Sequence, residues 1–74
     1  MWQVLYVAPT REMADRVVRG LAERGFLARV RAGGGRGDLS LWEILLPDVE
    51  MEEAQTALAE VLARAGSGEA DGGA

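Results

Sequence analysis

The chain contains no cysteine and no histidine among its 74 residues, so neither a disulfide nor a zinc site can hold its fold together. A domain of this size buries only about 60% of the surface that its unfolded chain exposes. Stability must therefore come from apolar packing, and 49% of the residues are hydrophobic. We expect one domain over 1–65 and a disordered tail over 66–74, because the tail has no apolar residue larger than alanine.

The same composition limits the chemistry that the chain can perform. All eight cationic side chains are arginine, so lysine is absent as well. There is no imidazole to move protons near neutral pH, no thiolate nucleophile and no amine for a Schiff base. We therefore predict a non-enzymatic protein with no catalytic residues, no metal site and no cofactor.

The spacing of apolar residues predicts a βαββα order of elements. Trp2–Ala8 is an apolar and aromatic run typical of a strand. Thr10 is a good N-cap for an amphipathic helix, and Gly25 suits the left-handed conformation that ends one. Residues 26–32 predict the second strand.

The second half of the chain repeats a strand and a helix. After a loop over 33–38, residues 39–46 predict the third strand, which Pro47 should end because proline cannot donate to a ladder. Asp48 is the expected cap of the second helix, which should stop at Gly66.

This order of elements predicts an α+β two-layer sandwich, a ferredoxin-like half-fold with a three-stranded antiparallel sheet and two helices on one face. The first and third strands should pair antiparallel, and the second should flank the third. The outer edge of the first strand is then bare, and bare edges recruit partners.

The charges are divided unevenly along the chain, although the net charge is −4. Residues 11–36 hold seven arginines and three carboxylates, whereas residues 37–74 hold one arginine and nine carboxylates. The two halves could face each other within one molecule or across a dimer, or each could be a solvated surface.

Several short segments follow an order that occurs in a known family: Tyr6-Val7-Ala8-Pro9-Thr10, Met13-Ala14, Leu21, Gly25-Phe26-Leu27-Ala28, Trp42-Glu43-Ile44-Leu45-Leu46-Pro47-Asp48 and Glu53-Ala54. On these residues, which extend over roughly 2 to 62, the chain resembles a small prokaryotic signal-transducing protein domain of unknown function. That domain is similar in shape to the nitrogen-regulatory PII proteins. The resemblance implies a ferredoxin-like fold more than an activity.

Similar short bacterial proteins sometimes have the label glutamate decarboxylase. That chemistry needs a lysine for the Schiff base of pyridoxal phosphate, and this chain has none. PII proteins also contact partners through the loop between their second and third strands. The loop over 33–38 is far shorter, so that function does not transfer.

One candidate site lies where the first strand ends, the first helix begins and the glycine-rich loop connects the other strands. A small anion could be bound there by the free backbone N–H groups in the first turn of the helix, together with an arginine and a flexible loop. The alternative is an ordinary cap and a mobile connection. The candidate anion-binding residues are Thr10, Arg11, Gly33, Gly34, Gly35 and Arg36.

A second candidate is the sheet face that the helices leave uncovered. Strand alternation is expected to place large apolar side chains there, and such a patch marks an interaction surface. Arginine stems from Arg29 and Arg31, or the tail, could instead cover it. The predicted surface residues are Trp2, Val4, Tyr6, Leu27, Leu41 and Leu45.

We expect a cytoplasmic, non-membrane regulatory or protein-interaction domain whose partner is another protein or a second copy, with a small anion as a candidate ligand. An accessory subunit of an enzyme is the first alternative. A single-stranded RNA-binding sheet is the second, although the net charge disfavours nucleic acid. Glu43 is the carboxylate that we expect to be half-buried, paired with Arg29 or Arg31.

Overall fold

The structure is a computed structural model that describes residues 1–33 and 41–73, with side chains described as far as residue 64. Its elements are, in chain order, β1 (Trp2–Ala8), α1 (Arg11–Glu23), β2 (Arg29–Ala32), β3 (Trp42–Pro47), a short 3-10 turn (Asp48–Glu50) and α2 (Met51–Gly73).

The three strands form one antiparallel sheet in the order β1-β3-β2. β3 lies in the middle and pairs with both neighbours, whereas β1 and β2 are edge strands. Together with the two helices, this arrangement confirms the predicted α+β, ferredoxin-like half-fold.

One core cluster joins the sheet to both helices. Its buried members come from the central strand, from one stripe of each helix and from the end of β1: Ala8, Ala14, Val17, Leu21, Ile44, Leu46, Ala54 and Val61. Because α1 and α2 contribute to the same cluster, both helices cover the same face of the sheet.

The two ends of α1 confirm the predicted signals. Thr10 has an extended backbone, and its hydroxyl accepts a hydrogen bond from the Met13 N–H at 3.1 Å. At the other end Gly25 has a φ of +90°. The Gly25 N–H donates to the Ala22 carbonyl and the Phe26 N–H donates to the Leu21 carbonyl, both at 3.0 Å. These two bonds are the pattern of a Schellman motif.

The second strand is shorter than the sequence predicts, since β2 begins at Arg29 rather than Phe26. The physical reason is that the preceding backbone groups have other partners. The Phe26 N–H closes the end of α1, and the Leu27 N–H donates to the Glu50 carboxylate at 2.9 Å. These donors are therefore unavailable to a sheet ladder.

The third strand and the start of the second helix also differ from prediction. β3 begins at Trp42 and includes Pro47 as its last residue; residues 39 and 40 lie outside the described residues. Asp48 does not cap the helix, because the chain enters α2 through the 3-10 turn, whose N-cap is Pro47 without a side-chain cap bond. The Asp48 carboxylate instead lies 3.7 Å from the Met1 ammonium. The Asp48 N–H donates to the Met1 carbonyl at 2.8 Å.

α2 continues to Gly73, so the predicted helix end at Gly66 is wrong. A glycine inside a helix costs about 1 kcal/mol relative to alanine, but it keeps its N–H and the helical hydrogen bonds can continue through it. Disorder of residues 66–74 in solution stays a prediction.

A bulge in β1 changes which side chains face the helices. The pairing with β3 shifts between Val4, which lies opposite Leu45, and Tyr6, which lies opposite Ile44. Leu5 is the extra residue, and an extra residue reverses the alternation of the side chains that follow it. Tyr6 and Ala8 therefore face the helices and Val7 faces away, which is the reverse of the predicted alternation.

None of the helices in the described ranges 1–33 and 41–73 is long and apolar enough to cross a membrane.

Gly25→Ala tests the left-handed end of α1. We expect it to lower the free energy of unfolding by about 1–2 kcal/mol, because only backbone strain changes. A Cβ at this position would meet no atom within 4 Å. Urea denaturation measures the effect, and Gly25→Asn is the matched control, since asparagine tolerates this conformation better. Equal stability of Gly25→Ala and the wild type would contradict this account.

Gly20→Ala tests the contact between the two helices. A Cβ at Gly20 would lie 2.8 Å from Cγ1 of Val61, a side chain that is 4% exposed. We expect a net loss of about 1–2 kcal/mol, because overpacking exceeds the gain in helix propensity. The double variant Gly20→Ala, Val61→Ala should lose about 1 kcal/mol less unfolding free energy than the sum of the two single losses, because the smaller side chain relieves the overpacking. Additive effects in urea denaturation would show that the contact is absent.

Candidate functional site

The open face of the sheet is the side that neither helix covers. The strand register places on it Trp2, Val4 and Val7 of β1, Glu43 and Leu45 of β3, and Arg29 and Arg31 of β2. Trp2, Val4 and Val7 are 40%, 39% and 42% exposed. They form an apolar row along the edge strand, and the two arginines line the other side of the face.

A cation–π contact spans this face. The Arg29 guanidinium lies 4.4 Å from the centre of the Trp2 ring. Because β3 separates β2 from β1, this contact crosses the central strand. It explains why Leu45 is only 6% exposed, although its side chain points away from the helices. A shallow cavity of about 280 Å³ lies beside the contact, lined by Trp2, Arg29, Val30, Arg31 and Leu45.

An ion pair occupies the next position along the same face. Nη2 and Nε of Arg31 donate to Oε1 of Glu43 at 2.6 Å and 2.9 Å. The Glu43 side chain is 24% exposed, so the prediction of a half-buried carboxylate paired across the strands is confirmed, with Arg31 as the partner.

The six residues predicted for the interaction surface do not all lie exposed on the open face. Trp2 and Val4 are exposed on the open face, as expected. Tyr6 is wrongly predicted there, because the bulge turns it to the helix face, where it packs against the core. Leu45 lies on the open face but is buried. Leu27 is 64% exposed in the connection after α1, and Leu41, at 38%, precedes β3.

Val7 belongs to the open face but alternation alone misses it. A regular strand would place Val7 with Leu5 toward the helices. The sequence has no glycine in this strand to indicate the bulge, so no local signal could have revealed it.

The two edges of the sheet are unequal. β2 has four residues, two of them arginines, and charged side chains protect an edge from pairing with other chains. β1 has seven residues and no charged side chain, and its protective feature is the bulge. In the described part of the chain, no turn or helix backbone group bonds to residues 2–8. The edge of β1 is therefore the one suited to pairing with another strand.

The predicted anion site is assembled only in part. Ala8, Ala32 and Trp42 lie opposite one another, so the end of β1, the start of α1 and the loop ends do meet. Arg11 is already engaged, with Nε 3.2 Å from Asp15 Oδ1 and its guanidinium 5.1 Å from the centre of the Trp42 ring.

The other members of this predicted site are engaged or outside the described residues. The Thr10 hydroxyl caps α1, and the Gly33 N–H donates to the Leu41 carbonyl at 2.6 Å. Gly34, Gly35 and Arg36 lie outside the described residues. Anion binding at this end of the sheet stays a prediction.

Ion pairs join the two differently charged halves of the chain. Arg31 pairs with Glu43, and Nη2 of Arg24 lies 3.7 Å from Oε1 of Glu60. Contact between the halves within one molecule therefore occurs. Within residues 1–33 and 41–73, no group of three or more acidic side chains is placed to hold a metal ion.

Comparison of the chain with protein-family models, with curated proteins and with solved structures gave no match. The resemblance to the prokaryotic signal-transducing domain therefore stays a prediction.

The Arg31–Glu43 pair can be measured with a double-mutant cycle of Arg31→Gln and Glu43→Gln. We expect a coupling of about 0.5 kcal/mol, because the exposed Arg31 side chain weakens the interaction through solvent screening. The coupling should fall in about 1 M NaCl, where the Debye length is short. Urea denaturation of the four proteins measures it, and zero coupling at low salt would contradict the paired geometry.

Proposed function

We propose that this protein is a non-enzymatic interaction domain that binds another protein chain through the open face and the β1 edge, with a second copy of itself as the partner. The observation that supports this most strongly is the uncharged seven-residue edge strand β1, whose side chains on the open face form an exposed apolar row. A regulatory role and a cytoplasmic location stay predictions.

The chemistry of the chain supports binding rather than catalysis. Histidine, cysteine and lysine are absent from the whole sequence, which removes the side chains most used as general bases, nucleophiles and Schiff-base amines. A contact function needs none of these groups. It needs an accessible surface with apolar side chains and unpaired backbone groups.

The asymmetry of the sheet supports a second copy as the partner. Antiparallel pairing of two β1 edges about a two-fold axis would join two three-stranded sheets and pair both bare edges at once. The same axis would bring the apolar rows of Trp2, Val4 and Val7 together on one side. The arginines of β2 would remain at the outer edges, where they oppose further growth of the sheet.

The stacking of Arg29 on Trp2 disfavours the RNA-binding alternative. An RNA-binding sheet offers free aromatic faces to the bases. Here one face of Trp2 is in contact with a guanidinium, and Tyr6 faces the helices. The described open face therefore lacks a pair of free aromatic rings.

Sedimentation velocity of the wild type and of Val4→Arg tests this proposal. We expect the wild type to dimerise with a dissociation constant on the order of 10 µM, a binding free energy of about −7 kcal/mol. Val4→Arg should shift the protein to monomer, because it places a charge at the edge and in the apolar row.

Val49→Arg is the matched control, since Val49 is 84% exposed in the 3-10 turn and belongs to no strand of the sheet. It should dimerise like the wild type. A wild-type monomer at about 200 µM, a concentration well above the expected dissociation constant, would contradict self-association. Equal weakening by Val4→Arg and Val49→Arg would contradict the assigned surface.

A further inference from the structure

A groove between the two helices collects half of the arginines in the chain. It has a volume of about 210 Å³ and lies on the helix layer, opposite to the open face. Its lining residues are Arg16, Arg19, Gly20, Glu23, Arg24, Val61 and Arg64. The four α1 positions 16, 19, 20 and 23 have the spacing of one helical stripe, which places them along one wall.

The two helices approach each other closely at the bottom of this groove. Gly20 lies so near Val61 that a Cβ would come within 2.8 Å of the valine side chain. Arg64 is one turn beyond Val61 on α2, and Arg16 is one turn before Gly20 on α1. The contact therefore brings guanidinium groups from two helices to the same groove.

The charge of this groove is opposite to that of the chain as a whole. Four arginines and one carboxylate line it, whereas the chain has a net charge of −4. Arg24 is balanced by Glu60 at 3.7 Å. For Arg19 and Arg64, no ion pair occurs with any side chain of the described ranges 1–33 and 41–64. Like charges that share a groove repel one another, and a bound anion would relieve this repulsion.

Guanidinium groups also select the kind of anion. Arginine presents planar N–H donors that match the oxygens of phosphate in a bidentate geometry. Arginines of both helices line the groove. A diphosphate group has two sets of phosphate oxygens for them to contact, whereas a single phosphate has one.

We propose that the groove between α1 and α2 binds a diphosphate group, with Arg19 and Arg64 as its principal ligands. The diphosphate could be the free ion or part of a nucleoside diphosphate, because both present the same oxygens. This inference goes beyond the proposed function and does not depend on it, since the groove and the open face lie on opposite layers.

Isothermal titration calorimetry with sodium diphosphate at low salt tests the proposal. We expect saturable binding to the wild type that is tighter than binding of inorganic phosphate. Arg19→Gln and Arg64→Gln should each weaken diphosphate binding about 10-fold, as expected for the loss of one charge-assisted contact. Both side chains are exposed, so the variants should keep the wild-type thermal midpoint.

Arg11→Gln is the matched comparison, because it removes an arginine at the other end of α1 whose guanidinium is engaged with Asp15 and Trp42. If diphosphate binds in the groove, this variant should bind it like the wild type, whereas binding at the predicted anion site around Arg11 would be weakened. Adenosine diphosphate should bind the wild type at least as tightly as free diphosphate and should be weakened by the same two variants. Tighter binding of the nucleotide would identify it as the source of the diphosphate group.

Three results would overturn the proposal. These are no binding at millimolar diphosphate, unchanged affinity in both Arg19→Gln and Arg64→Gln, and a loss confined to Arg11→Gln. The last would place the anion at the loop end of the sheet. Sedimentation of the same variants separates this test from that of the proposed function, since loss of diphosphate binding should leave dimerisation unchanged.

Discussion

Packing of the central strand against the helices holds this small molecule together. Ile44 and Leu46 of β3 are fully buried, as are Val17 and Leu21 of α1, and all four belong to one core cluster. β3 is also the strand that pairs on both sides. With neither a disulfide nor a zinc site in the sequence, loss of this packing would leave little to keep the helices on the sheet.

One-sided cover of the sheet has a direct consequence for function. The core uses alternate residues of β3, so the residues between them, Glu43 and Leu45, must face away from the helices. The molecule protects these two by different means. An arginine pairs with the carboxylate, and a second arginine crosses β3 to reach Trp2 and cover the leucine. Apart from the Arg29 contact on one face of Trp2, the row along β1 stays exposed, and this is why the proposed contact surface lies there.

Local signals predicted the fold where a single residue decides the conformation. Thr10 and Gly25 mark the ends of α1, and the alternation around Glu43 predicted its half-burial and its arginine partner. The predictions were wrong where a group distant in the sequence determines the local structure. The backbone donors of Phe26 and Leu27 are taken by Leu21 and by Glu50, so the second strand starts late. The bulge at Leu5 reversed Tyr6 and Val7 because pairing with β3, rather than the composition of β1, determines it. The arginine groove likewise needs the packing of two helices, although its α1 stripe is visible in the sequence.

Amide hydrogen exchange at several protein concentrations tests most directly the claim that β3 supports the fold and that β1 meets a partner. Amides of β3 should exchange slowly at every concentration, because their protection comes from pairing within one molecule. Outward-facing amides of β1 should become protected only as the concentration rises through the range of dimerisation. Exchange of β1 at the same rate at all concentrations, or of β3 as fast as β1, would contradict the account.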